Sequence, residues 1–251
     1  MKQRFFFIAL LCLWCMGLSA QVKVVAHRGY WKIEGSAQNS LSSLIKADSI
    51  KCFGSEFDVW LTADSKLVVD HDKTYKGANM EEDKLKTIRQ IKLDNGETLP
   101  TLDEYLKCAL KHPDIRLVLE MKPLSSFIRE DEAVKKIVKA LKKYKLIDRT
   151  DIISFSINAC LEFKKALPDT KIYYLNGDIR PDRIKALGFA GIDYSMSDFQ
   201  KHPEWIEEAH QQGLEVNVWT VDKEEDLRYF IDQGVDYITT NEPELLQRLL
   251  K

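Results

Sequence analysis

Glu56-Phe57-Asp58 places two carboxylates two residues apart inside the apolar run SEFDVWL. On a strand, residues i and i+2 share a face, so both acids point one way and Phe57 points the other. Like charges held that close are unfavourable unless a cation lies between them. A third acid, Glu120, sits near the end of the apolar run IRLVLEM, and Lys122 follows two residues later on the same face. Three hard oxygen donors with no thiolate nearby suit Mg2+ or Ca2+ better than zinc. Glu56, Asp58 and Glu120 are therefore candidate metal ligands, and one divalent cation, Mg2+ or Ca2+, is the candidate cofactor. The alternative is an ion-pair network in which Arg28 and Lys122 neutralise the same three acids.

Two histidines also follow apolar runs: His27, with Arg28 beside it, after VVA, and His71 after LVVD. Imidazole exchanges a proton near neutral pH. One histidine at a strand end is more commonly a hydrogen-bonded structural group; two facing a carboxylate cluster make an acid–base pair. His112 and His202 precede prolines and His210 falls within a helical pattern, so these three read as surface residues. Trp31, Trp60, Tyr75 and Trp219 are available to line a mouth and favour a flat or cationic group, or simply to pack.

Elements that bring these residues together are visible in the hydrophobic pattern. Short β-rich runs (VKVVA, IRLVLEM, IISFS, KIYYL, GIDYS, EVNVWTV, DYITT) alternate with helical patterns over 36–50, 102–111, 132–144, 159–167, 180–187, 203–212, 224–233 and 243–250. Strands separated by helices argue for a parallel sheet. The eight or so strands, with no G-x-G-x-x-G, favour a closed (β/α)8 TIM-type barrel over a doubly wound sheet. SEFDVWL and KLVVDHD are separated only by residues 62–65, too few for a crossover helix, so they are expected to form a hairpin. That makes nine strand-like runs, one more than a barrel needs. Residues 73–100, polar and weakly patterned, read as a small insertion between this early hairpin and the next strand, IRLVLEM. In such a barrel the strands' C-terminal ends form the functional mouth, and His27, Arg28, Glu56, Asp58, His71, Glu120 and Lys122 all map there.

With 251 residues, 45% hydrophobic and 30% charged, the chain is long enough for one such barrel, taken as 21–251. The net charge of −2 and the lack of a basic stripe exclude nucleic acid as a partner. Residues 1–20 begin with Lys2 and Arg4, continue as FFFIALLCLWCMGL and end in small residues, which describes a signal peptide cut near Ala20. The protein is thus expected to be exported, periplasmic or secreted, with no stable membrane span once the leader is gone. An uncleaved anchor is the alternative. Cys12 and Cys15 spell C-x-x-C but lie within the leader; Cys52, Cys108 and Cys160 have no metal-site spacing and read as buried small hydrophobes. There is no G-x-S-x-G, H-E-x-x-H or Walker A motif to support serine-hydrolase, zincin or ATPase chemistry.

AHRG, the QNS that opens a helix, EFDVWLTADSKLVVDHD, LEMK, VNVWTV and GVDYITTNEP follow one another in an order that resembles the glycerophosphodiester phosphodiesterase family, across nearly the whole chain after the leader. The resemblance implies a barrel of the phospholipase-C-like phosphodiesterase superfamily. It also implies metal-dependent hydrolysis of a small-molecule phosphodiester to glycerol 3-phosphate and an alcohol. By motif, Glu56, Asp58 and Glu120 correspond to the metal ligands, and His27 and His71 to the acid–base pair. Arg28 corresponds to the phosphate-binding arginine, and Lys122 and Trp219 to phosphate and substrate contacts. The insertion falls where members differ in substrate. One departure is Gln38-Asn39-Ser40 where the family has Glu-Asn-Thr; loss of that negative charge is expected to alter metal affinity or preference. A related lysophospholipid or inositol phosphodiesterase and a non-catalytic exported phosphodiester-binding protein are the other readings.

Overall fold

The computed structural model describes residues 21–251; the expected leader, with Cys12 and Cys15, lies outside the described residues. Strands are β1 (Lys23–Ala26), β2 (Gly54–Leu61), β3 (Leu67–Val69), β4 (Thr74–Tyr75), β5 (Ala78–Asn79), β6 (Arg116–Met121), β7 (Thr150–Ser154), β8 (Ile172–Tyr174), β9 (Gly191–Ser195), β10 (Glu215–Trp219) and β11 (Tyr237–Thr240). Helices are α1 (Leu41–Ser49), α2 (Leu85–Ile88), α3 (Leu102–Ala109), α4 (Phe127–Tyr144), α5 (Ile157–Ala166), α6 (Pro181–Ala186), α7 (Met196–Lys201), α8 (Glu204–Gln211), α9 (Glu224–Asp232) and α10 (Pro243–Leu249). Eight strands pair in parallel in the order β1-β2-β6-β7-β8-β9-β10-β11, and β11 returns to β1. The ring is a closed (β/α)8 barrel.

The ninth strand-like run is β3, outside the ring. Besides its contact with β1 at Gly54 and Ser55, β2 has two further partners: Gly54–Val59 pairs in parallel with β6, while Val59–Leu61 pairs antiparallel with β3. Its first part is barrel wall and its last part is one arm of the expected hairpin. α4 anchors that hairpin, where Arg129 donates to the carbonyls of Leu61 (2.9 Å) and Thr62 (2.8 Å).

Strand alternation sorts side chains into two cores. Outward residues such as Phe57, Leu117, Leu119, Ile192, Val216 and Ile238 pack under the helices in one continuous cluster. Phe57 stacks on Tyr105 of α3 with ring centroids 4.1 Å apart. Burial of a side chain of that size stabilises by about 1.5–3 kcal/mol. Inward residues Val25, Val118, Ile153, Tyr173 and Tyr237 form a separate plug on the barrel axis. The insertion has its own small core, with Met80, Ile88 and Leu99 fully buried against Trp60 and Val68. Its scattered apolar residues serve this local packing and carry no helical or strand period.

Helix starts follow their caps rather than the apolar pattern. α1 begins at Leu41, five residues later than the pattern suggests. Asn39 has φ +57°, and the Ser40 hydroxyl accepts from Ser43 N–H as N-cap. α4 begins earlier than expected, at Phe127 behind a Ser126 cap, because Phe127 and Ile128 are exposed and lend no periodicity. α7 is an unexpected six-residue helix capped by Ser195. Among the described residues no helix is long and apolar enough to cross a membrane.

Candidate active site at the barrel mouth

β1 stops at Ala26 and the chain turns at once. Gly29 N–H reaches back to Ala26 O (3.2 Å), with Arg28 at φ +56° and Gly29 at φ +75°. A Cβ at Gly29 would lie 2.4 Å from Ser43 Oγ and 2.7 Å from the Ser43 carbonyl carbon, so only glycine fits against α1. The turn aims the Arg28 backbone N–H at Glu56 Oε2 (2.7 Å) and its guanidinium Nη1 at Gln38 Oε1 (2.5 Å). Gln38 therefore bears on Arg28, while the acid cluster is made of the three expected carboxylates.

Glu56, Asp58 and Glu120 each place a ligand oxygen within 4.8 Å of the others, and all three are buried. Asp58 and Glu120 are register partners on β2 and β6. Asn39 clamps Asp58, donating to Oδ2 (2.7 Å) and accepting from its backbone N–H (3.1 Å). Lys122 Nζ lies 2.7 Å from Asp58 Oδ1 and 2.7 Å from Glu120 Oε1. These are charge contacts: neither oxygen, nor Glu56 Oε1, accepts a well-directed hydrogen bond. Three buried acids share the Lys122 ammonium while the Arg28 guanidinium turns to Gln38, so only the Lys122 half of the alternative ion-pair network is present and the acids outnumber their cation. Orphaned hard oxygens this close together fit a divalent cation of the Mg2+ or Ca2+ type.

The electrostatics reflect that excess. Burial, and then the Asp58 and Glu120 charges, push Glu56 well above the usual carboxylate range. Burial, and then Asp58, push Glu120 up to about 8 against the pull of Lys122. Burial works against the Asp58 carboxylate too, but Lys122, His71 and Asn39 outweigh it and hold Asp58 down to about 2. Lys122 is shifted upward: burial opposes its charge, and the two acids more than compensate.

His27 and His71 face the cluster from different routes. His27 follows β1 directly. His71 is carried back to the mouth by the antiparallel β3, whose descent puts Asp70 N–H on Asp58 O (3.2 Å). Both imidazoles line a pocket of about 100 Å³ with Arg28, Glu56, Glu120 and Trp219. His27 Nδ1 lies 2.9 Å from Asn241 Oδ1. Trp31 Nε1–H donates to that same oxygen (2.9 Å), and Asn241 Nδ2 donates to Asp222 Oδ2 (2.8 Å). A pure donor and a pure acceptor thus fix the amide, which makes His27 Nδ1 the protonated nitrogen and leaves Nε2 with a free lone pair. Burial, and then the Arg28 cation, lower His27 to about 4. His71 Nδ1–H donates to Asp72 Oδ1 (2.7 Å). Burial lowers its pKa as well, while the Asp58 carboxylate and Asp72 counteract that.

Trp219 stands on the opposite wall, donating to Asp193 O (2.8 Å) and meeting Phe155 edge-on. Of the remaining histidines, His202 stacks on Trp205 and His210 is exposed. His112 departs from its surface reading: it is half-buried and bonded to Asp48 (2.8 Å). Asn241, Asp222, Asp70 and Asp193 join the site without being expected from the sequence. Asp193, an inward acid in the apolar strand GIDYS, carries the same signal as Asp58. Asn241 had none beyond its place in the closing motif TTNEP.

A closed parallel barrel with acids and histidines gathered at the C-terminal mouth of its strands belongs to the (β/α)8 class of enzyme folds. Residues 27–245 match the sequence profile of the Glycerophosphoryl diester phosphodiesterase family, and the chain belongs to that family. A crystal structure of a glycerophosphodiester phosphodiesterase from Parabacteroides distasonis superposes with a TM-score of 0.90 at 46% identity, covering 92% of this chain and 97% of that one. A glycerophosphodiester phosphodiesterase from Caldanaerobacter subterraneus subsp. tengcongensis is 32% identical, over 91% of this chain and 97% of its own. A phosphodiesterase from Oleispira antarctica, solved with the product sn-glycerol-3-phosphate, has a TM-score of 0.78 at 25% identity, covering 91% of this chain and 96% of that one.

Proposed function

We propose that this protein hydrolyses glycerophosphodiesters to glycerol 3-phosphate and an alcohol, with one divalent cation held by Glu56, Asp58 and Glu120. The observation that carries this reading is the set of orphaned acid oxygens sharing one mouth with two differently tethered histidines. Family membership and the product-bound Oleispira antarctica relative support the same substrate class. When bound, the cation supplies Lewis-acid polarisation of the phosphoryl group.

The chain's own residues do the rest. His27 Nε2, unprotonated and aimed by Asn241, takes the proton of the nucleophile, which is water or the substrate's own glycerol 2-hydroxyl. His71, whose charged form Asp58 and Asp72 favour against the burial that lowers its pKa, protonates the leaving alkoxide. The Arg28 guanidinium balances charge that builds on the phosphoryl oxygens, and Lys122 offsets the acids beneath. Ile153, Phe155, Leu175 and Trp219 keep water off one side of the pocket.

Purified protein incubated with glycerophosphodiesters, with Mg2+, with Ca2+ or with EDTA, tests the reading. Release of glycerol 3-phosphate that requires a divalent cation is expected; binding without release would instead favour the non-catalytic alternative. We also infer export from the leader at 1–20. N-terminal sequencing of the protein from the cell envelope or medium should begin at Gln21, and an intact Met1 there would refute cleavage.

A further inference from the structure

Arg28 and Gln38 lie near opposite ends of the loop between β1 and α1, and the loop closes on them. The Asn39 backbone N–H donates to the Arg28 carbonyl (3.0 Å), and Arg28 Nη1 donates to Gln38 Oε1 (2.5 Å). A guanidinium has donors only, so the amide must offer its oxygen. Arg28 lines the catalytic pocket. Gln38 lines a neighbouring groove of about 440 Å³, whose wall also includes Asp72, Tyr75 and Asp94.

This contact aligns the cation without cancelling it. Elsewhere an arginine tied to a side chain meets a carboxylate: Arg89 meets Glu104, Arg116 forks onto Asp151 and Arg228 meets Glu224. Lys122, the other cation of the site, is shared by Asp58 and Glu120. Glu56 reaches Arg28 at its backbone N–H (2.7 Å), away from the guanidinium. No carboxylate among the described residues pairs with that guanidinium, and its Nη2 has no acceptor among them. A carboxylate at position 38 would neutralise the charge and could take two donors at once. An amide oxygen takes one donor and leaves the whole charge to an anion from outside.

We propose that Gln38 is a positioning residue that keeps Arg28 in the pocket as an uncompensated cation, so that the site holds a phosphate dianion more tightly than a singly charged diester. The proposal rests on the hydrolytic reading above. A diester carries one negative charge, whereas a phosphate monoester, with a second pKa near 6, carries close to two at pH 7.5. An uncompensated guanidinium therefore favours the monoester product and inorganic phosphate, and both inhibit the enzyme. The neutral residue at position 38 then acts on the anion and leaves the metal to the three acids, contrary to what the departure in the sequence suggests.

The test is calorimetry at pH 7.5 with Mg2+ present, titrating inorganic phosphate, glycerol 3-phosphate and glycerophosphoglycerol into the wild type, Gln38→Glu and Gln38→Met. Mg2+ alone is titrated into each metal-free protein as well. Gln38→Glu should weaken both dianions about ten-fold, the scale of one charge-assisted contact, and the diester by less. Its Mg2+ affinity should not fall. Gln38→Met, neutral and of similar length but without the acceptor, should keep the preference for dianions over the diester. Phosphate bound by Gln38→Glu as tightly as by the wild type would overturn the proposal. So would equal losses in Gln38→Glu and Gln38→Met, or a fall in Mg2+ affinity with phosphate affinity retained. Absence of all turnover would defeat the hydrolytic reading alone, because these titrations need none.

Discussion

At the N-terminal end of the barrel, Arg116 forks onto both oxygens of Asp151 (2.5 and 2.6 Å), and Lys171 bonds both oxygens of Glu215 (2.7 and 2.8 Å). Tyr237 and Tyr173 donate to Glu215 as well. At the C-terminal mouth, three buried acids share Lys122, and three of their oxygens lack a directed donor. Both ends place charge on the inside of the same ring. Where every carboxylate oxygen has a partner, the charge serves the fold; where oxygens are left over, it waits for something from outside. Hydrogen-bond completeness, more than the amount of charge, separates a structural end from a chemical one.

The strongest way to break this contrast is at the histidines. Replacing His27 or His71 by Ala should cost roughly 10²–10⁴ in turnover, the range of a general acid or base, with little change in melting temperature. Near-normal turnover by both variants with metal present would refute the mechanism. Next comes a matched pair of substitutions. Asp151→Ala, which strands Arg116, should destabilise by about 3 kcal/mol in denaturant unfolding, toward the low end for a buried pair because Arg116 is partly exposed. Glu56→Gln in metal-free protein should cost no stability, since it removes a repelled carboxylate; a loss equal to that of Asp151→Ala would erase the distinction.

A divalent cation should act on one end only. At a hundred times its dissociation constant it should stabilise the wild type by about 2.7 kcal/mol, and this gain should vanish in Glu56→Gln and survive in Asp151→Asn. The smallest effect concerns Asp193, on the floor between the two ends. Burial raises its carboxyl from 3.8 to about 7 despite the Asn217 hydrogen bond. The folded protein therefore keeps that proton when the unfolded chain has lost it. Its contribution to stability is complete below about pH 4 and is lost as pH rises through 7. Thermal melts of Asp193→Asn from pH 4 to 8 should show a flatter pH dependence than the wild type.

Much of this arrangement was legible in the residues because the strand period is rigid. Glu56, Asp58 and Glu120 had to face inward together once their runs were strands, and the four-residue gap after Leu61 permitted only a hairpin. His71 was legible as a mouth residue, but its route was not, since it arrives on a strand descending outside the ring. The orientation of Asn241 depends on Trp31, far away in sequence, and no local pattern encodes such a pairing. The start of α4 was hidden because Phe127 and Ile128 face solvent. Asp193 was legible by the same rule as Asp58 and Glu120, as an inward acid in an apolar strand.

The double pairing of β2 has one more consequence. Because the ring closes without β3, everything from Thr62 to Pro100 hangs on the barrel as a single appended segment. That segment carries His71 as well as Asp70, Asp72, Tyr75 and Asp94. A chimera that borrows it from a relative would import His71, the proposed proton donor, and one wall of the neighbouring groove in one piece. On the proposed mechanism, the group that protonates the leaving alkoxide is thus a heritable module, which recombination can exchange whole while the ring with its acid cluster stays in place.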